Sequence, residues 1–125
     1  MTGVSLIELQ HADTGWVILA VSGEIDVATS GRLAYHLERL LERSGHGVVV
    51  NLSHTRFCDC TGLRALIRSH EHAYELGAQL RLVLPTPGGA VARLLFLLGI
   101  ADLIPTYTSL QQALSDPAAA PSPSA

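Results

Sequence analysis

The sequence predicts a single small α/β domain built on a four- or five-stranded mixed β-sheet with about four α-helices. Three observations carry this. Apolar runs of strand character alternate along the chain with amphipathic segments of helical period. One of the strands, "VVVNL", is nearly continuous in apolar residues, as a strand in the centre of a covered sheet reads. The chain has 125 residues, 48% hydrophobic and 15% charged, which suits one core and leaves no room for a second. A chain of this size buries roughly two thirds of the surface it exposes when unfolded, so neither a disulfide nor a metal is needed to hold it.

The elements follow in order. Ser5 to Gln10 is a weakly alternating run, and Trp16 to Val21 is a β-rich run that stops at Ser22-Gly23. The connection from His11 to Gly15 is hairpin-short, which predicts that the two strands are antiparallel neighbours. Leu33, Leu37, Leu40 and Leu41 then fall on one helical stripe, with Thr29 or Ser30 as N-cap and Gly45 just past the end. Val48 to Leu52 is the central strand. From Leu63, the positions Leu66, Ile67, His70 and Tyr74 keep a helical spacing that ends near Gly77, and "QLRLVL" supplies another alternating strand. Strand, helix, strand implies a parallel crossover.

Pro87 marks the next helix start, Val91, Leu94, Leu95 and Leu98 share a face, and Gly99 is its stop. Phe96 and Leu97 lie off that face, so either the helix is deeply buried or it presents an apolar patch. A short strand or turn and a helix over Ser109 to Leu114 complete the domain, residues 1–115. The remaining "DPAAAPSPSA", 116–125, has nothing to bury and reads as a disordered tail.

Composition excludes several classes. The net charge is −3, Lys is absent and the arginines are spread along the chain, so there is no basic patch for nucleic acid. No apolar stretch approaches the roughly 20 residues of a membrane helix, and the N-terminus has no leader pattern, which predicts a cytoplasmic protein. Cys58 and Cys60 are one residue apart, a poor spacing for a mutual disulfide, which points to a reducing compartment.

The chemistry concentrates in "FCDCTGLRALIRSH", Phe57 to His70, on the rim where the central strand gives way to a helix. Asp59 can cap that helix, Thr61 falls in its first turn, and Gly62 keeps the turn uncrowded. A phosphate on Thr61 would meet the positive end of the helix dipole while adding about −2 charge to the surface. It would be a switch that spares the core.

Together with "GEIDVAT", Gly23 to Thr29, and "RLLFLLGI", the stretch "VVVNLSHTRFCDCTGLRAL" resembles a STAS domain of the anti-sigma factor antagonist type, over roughly residues 5 to 115. In that family an Asp-Ser-Ser-Gly-like tetrapeptide at the same junction carries the regulatory phosphoserine in its third position. The resemblance therefore implies that Thr61 is the phosphoacceptor, that Asp59 begins the tetrapeptide, and that Asp26 is the family's Asp at the end of the second strand. It implies binding to an anti-sigma factor with serine/threonine kinase activity, which frees a sigma factor for transcription. Phosphorylation by that kinase would end the binding, and a phosphatase of the PP2C type would reset it. Asp26, Asp59, Cys60, Gly62, Arg56 and Arg64 would surround the phosphosite and meet the partner. No cofactor and no catalysis by the domain itself are implied. Cys60 stands where a serine is common, and Thr61 where serine is the usual acceptor. Some members of the family act as phosphorylation-independent scaffolds or sensors.

Two rival readings use the same residues. Cys58 and Arg64 have the C-x5-R spacing of cysteine-dependent phosphatases, whose chemistry needs a low-pKa thiolate in a nest of backbone N–H groups. Asp59 and Leu63 inside that cradle argue against it. A metal site from Cys58, Cys60, His54 and His70 or His72 lacks the spacing of paired zinc ligands. The plainer expectation is that both cysteines are small, semi-buried packers and that His70 belongs to the helix's apolar stripe.

Overall fold

A computed structural model describes residues 3–11, 15–84 and 89–117. Its elements are β1 (Val4–His11), β2 (Trp16–Ile25), α1 (Ser30–Arg43), β3 (Gly47–Cys58), α2 (Cys60–Glu75), β4 (Gln79–Val83), α3 (Ala90–Leu97), α4 (Ile100–Leu103), β5 (Thr106–Tyr107) and α5 (Leu110–Ser115). The five strands form one mixed sheet in the order β1-β2-β3-β4-β5. β1 pairs antiparallel to β2, and every other pairing is parallel.

Strand alternation divides the core into two layers. Val17, Leu19 and Val21 of β2 and Val48 and Val50 of β3 join Leu33, Leu37, Leu40 and Leu41 of α1, Leu63 and Leu66 of α2, and Val91 and Leu95 of α3. Trp16, Ile18, Val49 and Val83 project to the opposite face, where Ala113, Leu110 and Leu114 of α5 cover them with Tyr107. Both faces of the central strands are therefore buried, which is why "VVV" is apolar without alternation.

Two strands run further than the sequence suggested. β2 does not stop at Ser22-Gly23 but continues to Ile25. Gly23 (φ 98) is a point of close approach: a Cβ there would overlap the Gly3 carbonyl oxygen, which accepts the Glu24 N–H at 2.9 Å. β3 continues past Leu52 to Cys58, so "SHTRFC" is strand. Its pairing with β2 shifts register twice, between Ala20 and Ser22 and between Gly23 and Glu24. Such irregularities break the two-residue period by which strands are recognised. The buried Thr55 sits between them and donates its hydroxyl to the Val21 carbonyl at 2.9 Å.

β4 is buried along its whole length rather than alternating, and this includes Arg81. The Arg81 guanidinium lies 4.3 Å from the centre of the Trp16 ring. It donates to Gln79 Oε1 at 2.7 Å and to the Ala113 carbonyl at 2.6 Å, so a stacked, hydrogen-bonded cation ties α5 to the sheet.

The helix ends also differ in detail. The Thr29 side chain makes no capping bond, and α1 ends at Arg43 with Ser44 extended, so Gly45 is not a left-handed stop. Tyr74 is exposed, and the buried face of α2 passes instead through Leu63, Leu66, Ser69 and Ala73. In α3, Leu98 is exposed rather than on the buried face. Phe96 and Leu97 are 75% and 73% exposed, which decides for an apolar patch and against deep burial. Pro87, the middle of the β1–β2 connection and residues 118–125 of the expected tail lie outside the described residues. Among the described residues, no helix is long and apolar enough to cross a membrane.

Candidate functional site

The candidate site lies where β3 hands over to α2. Asp59 leaves the strand in extended conformation and caps the helix. Its Oδ1 accepts the Thr61 N–H at 2.9 Å and the Gly62 N–H at 3.2 Å, satisfying donors that the first helical turn leaves free. The same oxygen accepts the Thr61 hydroxyl at 2.5 Å. That hydroxyl bond first, and backbone N–H groups of Gly62, Thr61 and Val27 after it, hold the Asp59 carboxyl below its usual range. The Asp59 N–H in turn donates to the Ile25 carbonyl at 3.0 Å, which fastens the junction to the end of β2.

Gly62 is what lets the helix start here. It is buried, and a Cβ on it would stand 2.6 Å from Ile25 Cγ2 and 2.7 Å from Cys58 Sγ. With the glycine packed inward, Thr61 is half-buried at the rim and Cys60 is exposed. The two cysteines therefore differ. Cys58 is a core residue, whereas the expectation of a semi-buried Cys60 is not met, because it occupies the outward side of the first turn.

Burial, and then the neighbouring Asp59 charge, push the Cys58 thiol up to about 12. A C-x5-R phosphatase needs the opposite shift and an accessible thiolate, whereas Cys58 is buried in the core, which argues against that reading. Among the described residues no three His, Cys, Asp or Glu side chains are grouped to hold a metal ion. His70 is half-buried, and burial lowers its pKa.

Asp26 sits at the other side of the rim, in the loop between β2 and α1. Its Oδ1 accepts the Ala28 N–H at 2.9 Å and the Thr29 N–H at 3.1 Å, and Thr29 returns its hydroxyl to the same oxygen at 3.2 Å. It thus organises the loop that leads into α1, while Thr29, one of the two N-cap residues expected from the sequence, holds the N-cap position without a side-chain capping bond. Val27 of this loop lies close enough to help hold the Asp59 carboxyl below its usual range, and the Asp59 N–H bond to the Ile25 carbonyl sets the two acidic residues at neighbouring strand ends.

Between α1 and α2 runs a groove of about 220 Å³, lined by Thr61, Arg64 and Arg68 on one side and Ser30, Gly31 and Ala34 on the other. Arg68 was not singled out in the sequence; its signal is the spacing of seven from Thr61 and four from Arg64, which puts all three on one helix face. Arg56 lies elsewhere, in a separate groove of about 690 Å³ that includes Ser22, Gly23 and His54. The structure thus brings together Asp59, Cys60, Thr61, Gly62 and Arg64, ties the Asp26 loop to them, and leaves Arg56 apart.

The family model described as STAS domain matches residues 7–113. The chain belongs to the STAS domain family. A curated relative, the anti-sigma-F factor antagonist RsfA of Mycobacterium tuberculosis, is 29% identical over 113 residues, covering 86% of this chain and 83% of the relative. Among solved structures, an anti-sigma factor antagonist from Mycobacterium paratuberculosis is 26% identical with a TM-score of 0.79, covering 91% of this chain and 96% of that one. The anti-sigma factor antagonist SpoIIAA in its unphosphorylated form shares the fold at a TM-score of 0.71 and 13% identity, over 87% of this chain and 92% of that one. The Bacillus cell fate determinant SpoIIAA in the phosphorylated form does so at 0.65 and 12%, over 87% and 96%. The five-stranded mixed sheet with its helices is the single STAS fold of these antagonists.

Proposed function

We propose that this STAS domain is a cytoplasmic anti-sigma factor antagonist whose binding is switched at Thr61. In the unmodified state it binds an anti-sigma factor that is also a serine/threonine kinase, and the sigma factor is released. The kinase then moves the γ-phosphoryl group of ATP to Thr61 Oγ1: the bond to the ADP oxygen breaks, the new P–O bond forms, and the hydroxyl proton is released. Hydrolysis by a phosphatase of the PP2C type restores the hydroxyl.

The observation that carries this reading is the position of the Thr61 hydroxyl. It stands half-buried at the rim, in the first turn of a helix whose cap is made by the Asp59 side chain and backbone amides. A phosphate there leaves the core packing intact. The names of the relatives support the partner class, and the docking surface we assign is the Asp26 loop with Asp59, Cys60, Thr61, Gly62 and Arg64. Asp59 already places negative charge at this surface, so phosphate adds like charge where a partner must displace water, which weakens docking.

The test uses wild type and Thr61→Ala, each incubated with ATP and a lysate of the source organism, with phosphate mapped by tandem mass spectrometry. The reading predicts phosphate on Thr61 in the wild type and none on the variant. An unmodified wild type, in a lysate that phosphorylates a related STAS domain, would sink the switch and leave a phosphorylation-independent scaffold or sensor.

A further inference from the structure

Resting on the reading of Thr61 as phosphoacceptor, we propose that Arg64 and Arg68 form a receiving site for the Thr61 phosphoryl group in the groove between α1 and α2. The modified protein then holds its new charge in an internal ion pair. In the unmodified protein the Thr61 hydroxyl points at Asp59, donating to Oδ1 at 2.5 Å. Esterification removes the hydrogen of that bond and sets a dianion against a carboxylate. Asp59 is fixed by the amides of Thr61 and Gly62, so it cannot retreat without uncapping the helix. The phosphoryl group is the partner that turns away, by rotation of the Thr61 side chain to another staggered position.

The groove is what lies on the other side. Thr61, Arg64 and Arg68 line it together, at helical spacings of three and seven. Among the described residues neither Arg64 nor Arg68 makes a hydrogen bond or ion pair. Four other arginines are engaged, Arg32 with the Val4 carbonyl, Arg39 with Tyr35, Arg43 with Glu8 and Arg81 in the core, whereas Arg56 and Arg93, which do not line this groove, also make no side-chain bond among the described residues. The α1 wall consists of small residues, and a Cβ placed on Gly31 would meet nothing within 4 Å. Ser30 also lines it. The nearest acid before α1, Asp26, is already occupied by the Ala28 and Thr29 amides. Two exposed arginines that line one groove with the acceptor and make no hydrogen bond or ion pair among the described residues match the planar, bidentate chemistry by which arginine takes phosphate.

This gives the switch a second component. Before modification, Arg64 and Arg68 are free to meet acidic groups of a partner. Afterwards the phosphate occupies both, so one event adds an anion and withdraws two cations from the docking surface.

The test installs phosphothreonine at position 61 by encoded incorporation, so no kinase is involved, and follows the phosphorus resonance against pH. The second ionisation of a phosphate monoester lies near pH ~6. The proposal predicts a value lower by about half a unit or more than in a peptide spanning residues 57–68, as opposite charges produce. It also predicts that the Arg64→Gln/Arg68→Gln double variant loses most of that shift while keeping its circular dichroism spectrum. A shift that survives in the double variant would belong to the helix terminus and would overturn the proposal, as would no shift at all. Because the phosphate is placed without a kinase, this outcome is independent of whether the lysate modifies Thr61.

Discussion

At Gly62 the space available for a side chain is smaller than a methyl group, and the residue's neighbours are Ile25 and the Cys58 sulfur. Gly62→Ala therefore forces α2 off the sheet or distorts the rim, and we expect a loss of about 1–3 kcal/mol in urea denaturation, in the range of overpacked cores. The two cysteines should part in reactivity. A thiol reagent at pH 8 is expected to modify Cys60 rapidly and Cys58 only on unfolding, because burial keeps the Cys58 thiol protonated. Asp59 shifts the other way. Its folded-state pKa is depressed, so the stability it supplies is present above the ordinary carboxylate range and is lost as pH falls through the folded value. Asp59→Ala should lower the urea midpoint at neutral pH and flatten the acid limb of the stability profile. An unchanged acid limb would show that the cap is not what responds to acid.

At the scale of elements, α5 depends on a cation that no helix pattern announces. Arg81 gives it a donor at the Ala113 carbonyl, and Tyr107 donates to Asp116 Oδ2 at 2.5 Å just beyond its end. Arg81→Leu leaves Gln79 Oε1 and the Ala113 carbonyl buried without that donor, and should cost about 3 kcal/mol. Hydrogen exchange should quicken first in α5. Burial, and then the bond to Asp116, push the Tyr107 phenol up to about 12. The folded state thus holds that proton more tightly, so its stabilisation is complete below the ordinary phenol value of 10.0 and is lost as pH rises toward about 12. In an ultraviolet titration the Tyr107 phenol should ionise well above the ordinary phenol range. A Tyr107 phenol ionising near 10.0 would refute this packing.

For the molecule as a whole, the fold class, the α1 stripe and the hairpin were legible because each is written in local periodicity, whereas Tyr74 and Leu98, read on the α2 and α3 stripes, are exposed. The junction was legible too: Asp59, Thr61 and Gly62 declare a capped helix start through residue type and spacing alone. What stayed hidden depends on register between strands. The extensions of β2 and β3 are masked by the register shifts that bury Thr55, and Gly23 imitates a stop because its true reason, the Gly3 carbonyl, is distant in sequence. "QLRLVL" reads as an alternating strand, but the second layer under α5 covers its other face and buries Arg81 as well. Arg68 gains meaning only once α1 stands across the groove. The exposed Phe96 and Leu97 could be read in the sequence as a choice, and the fold made the choice.

The central claim, that a charge at Thr61 decides whether this domain holds its anti-sigma factor, is tested most directly by an affinity measurement. The anti-sigma factor of the source organism would be titrated with the unmodified protein and with the protein carrying phosphothreonine at 61. The account predicts binding weaker by about a hundredfold or more for the phosphoprotein, a difference of about 2.7 kcal/mol. Equal dissociation constants for the two forms would contradict it.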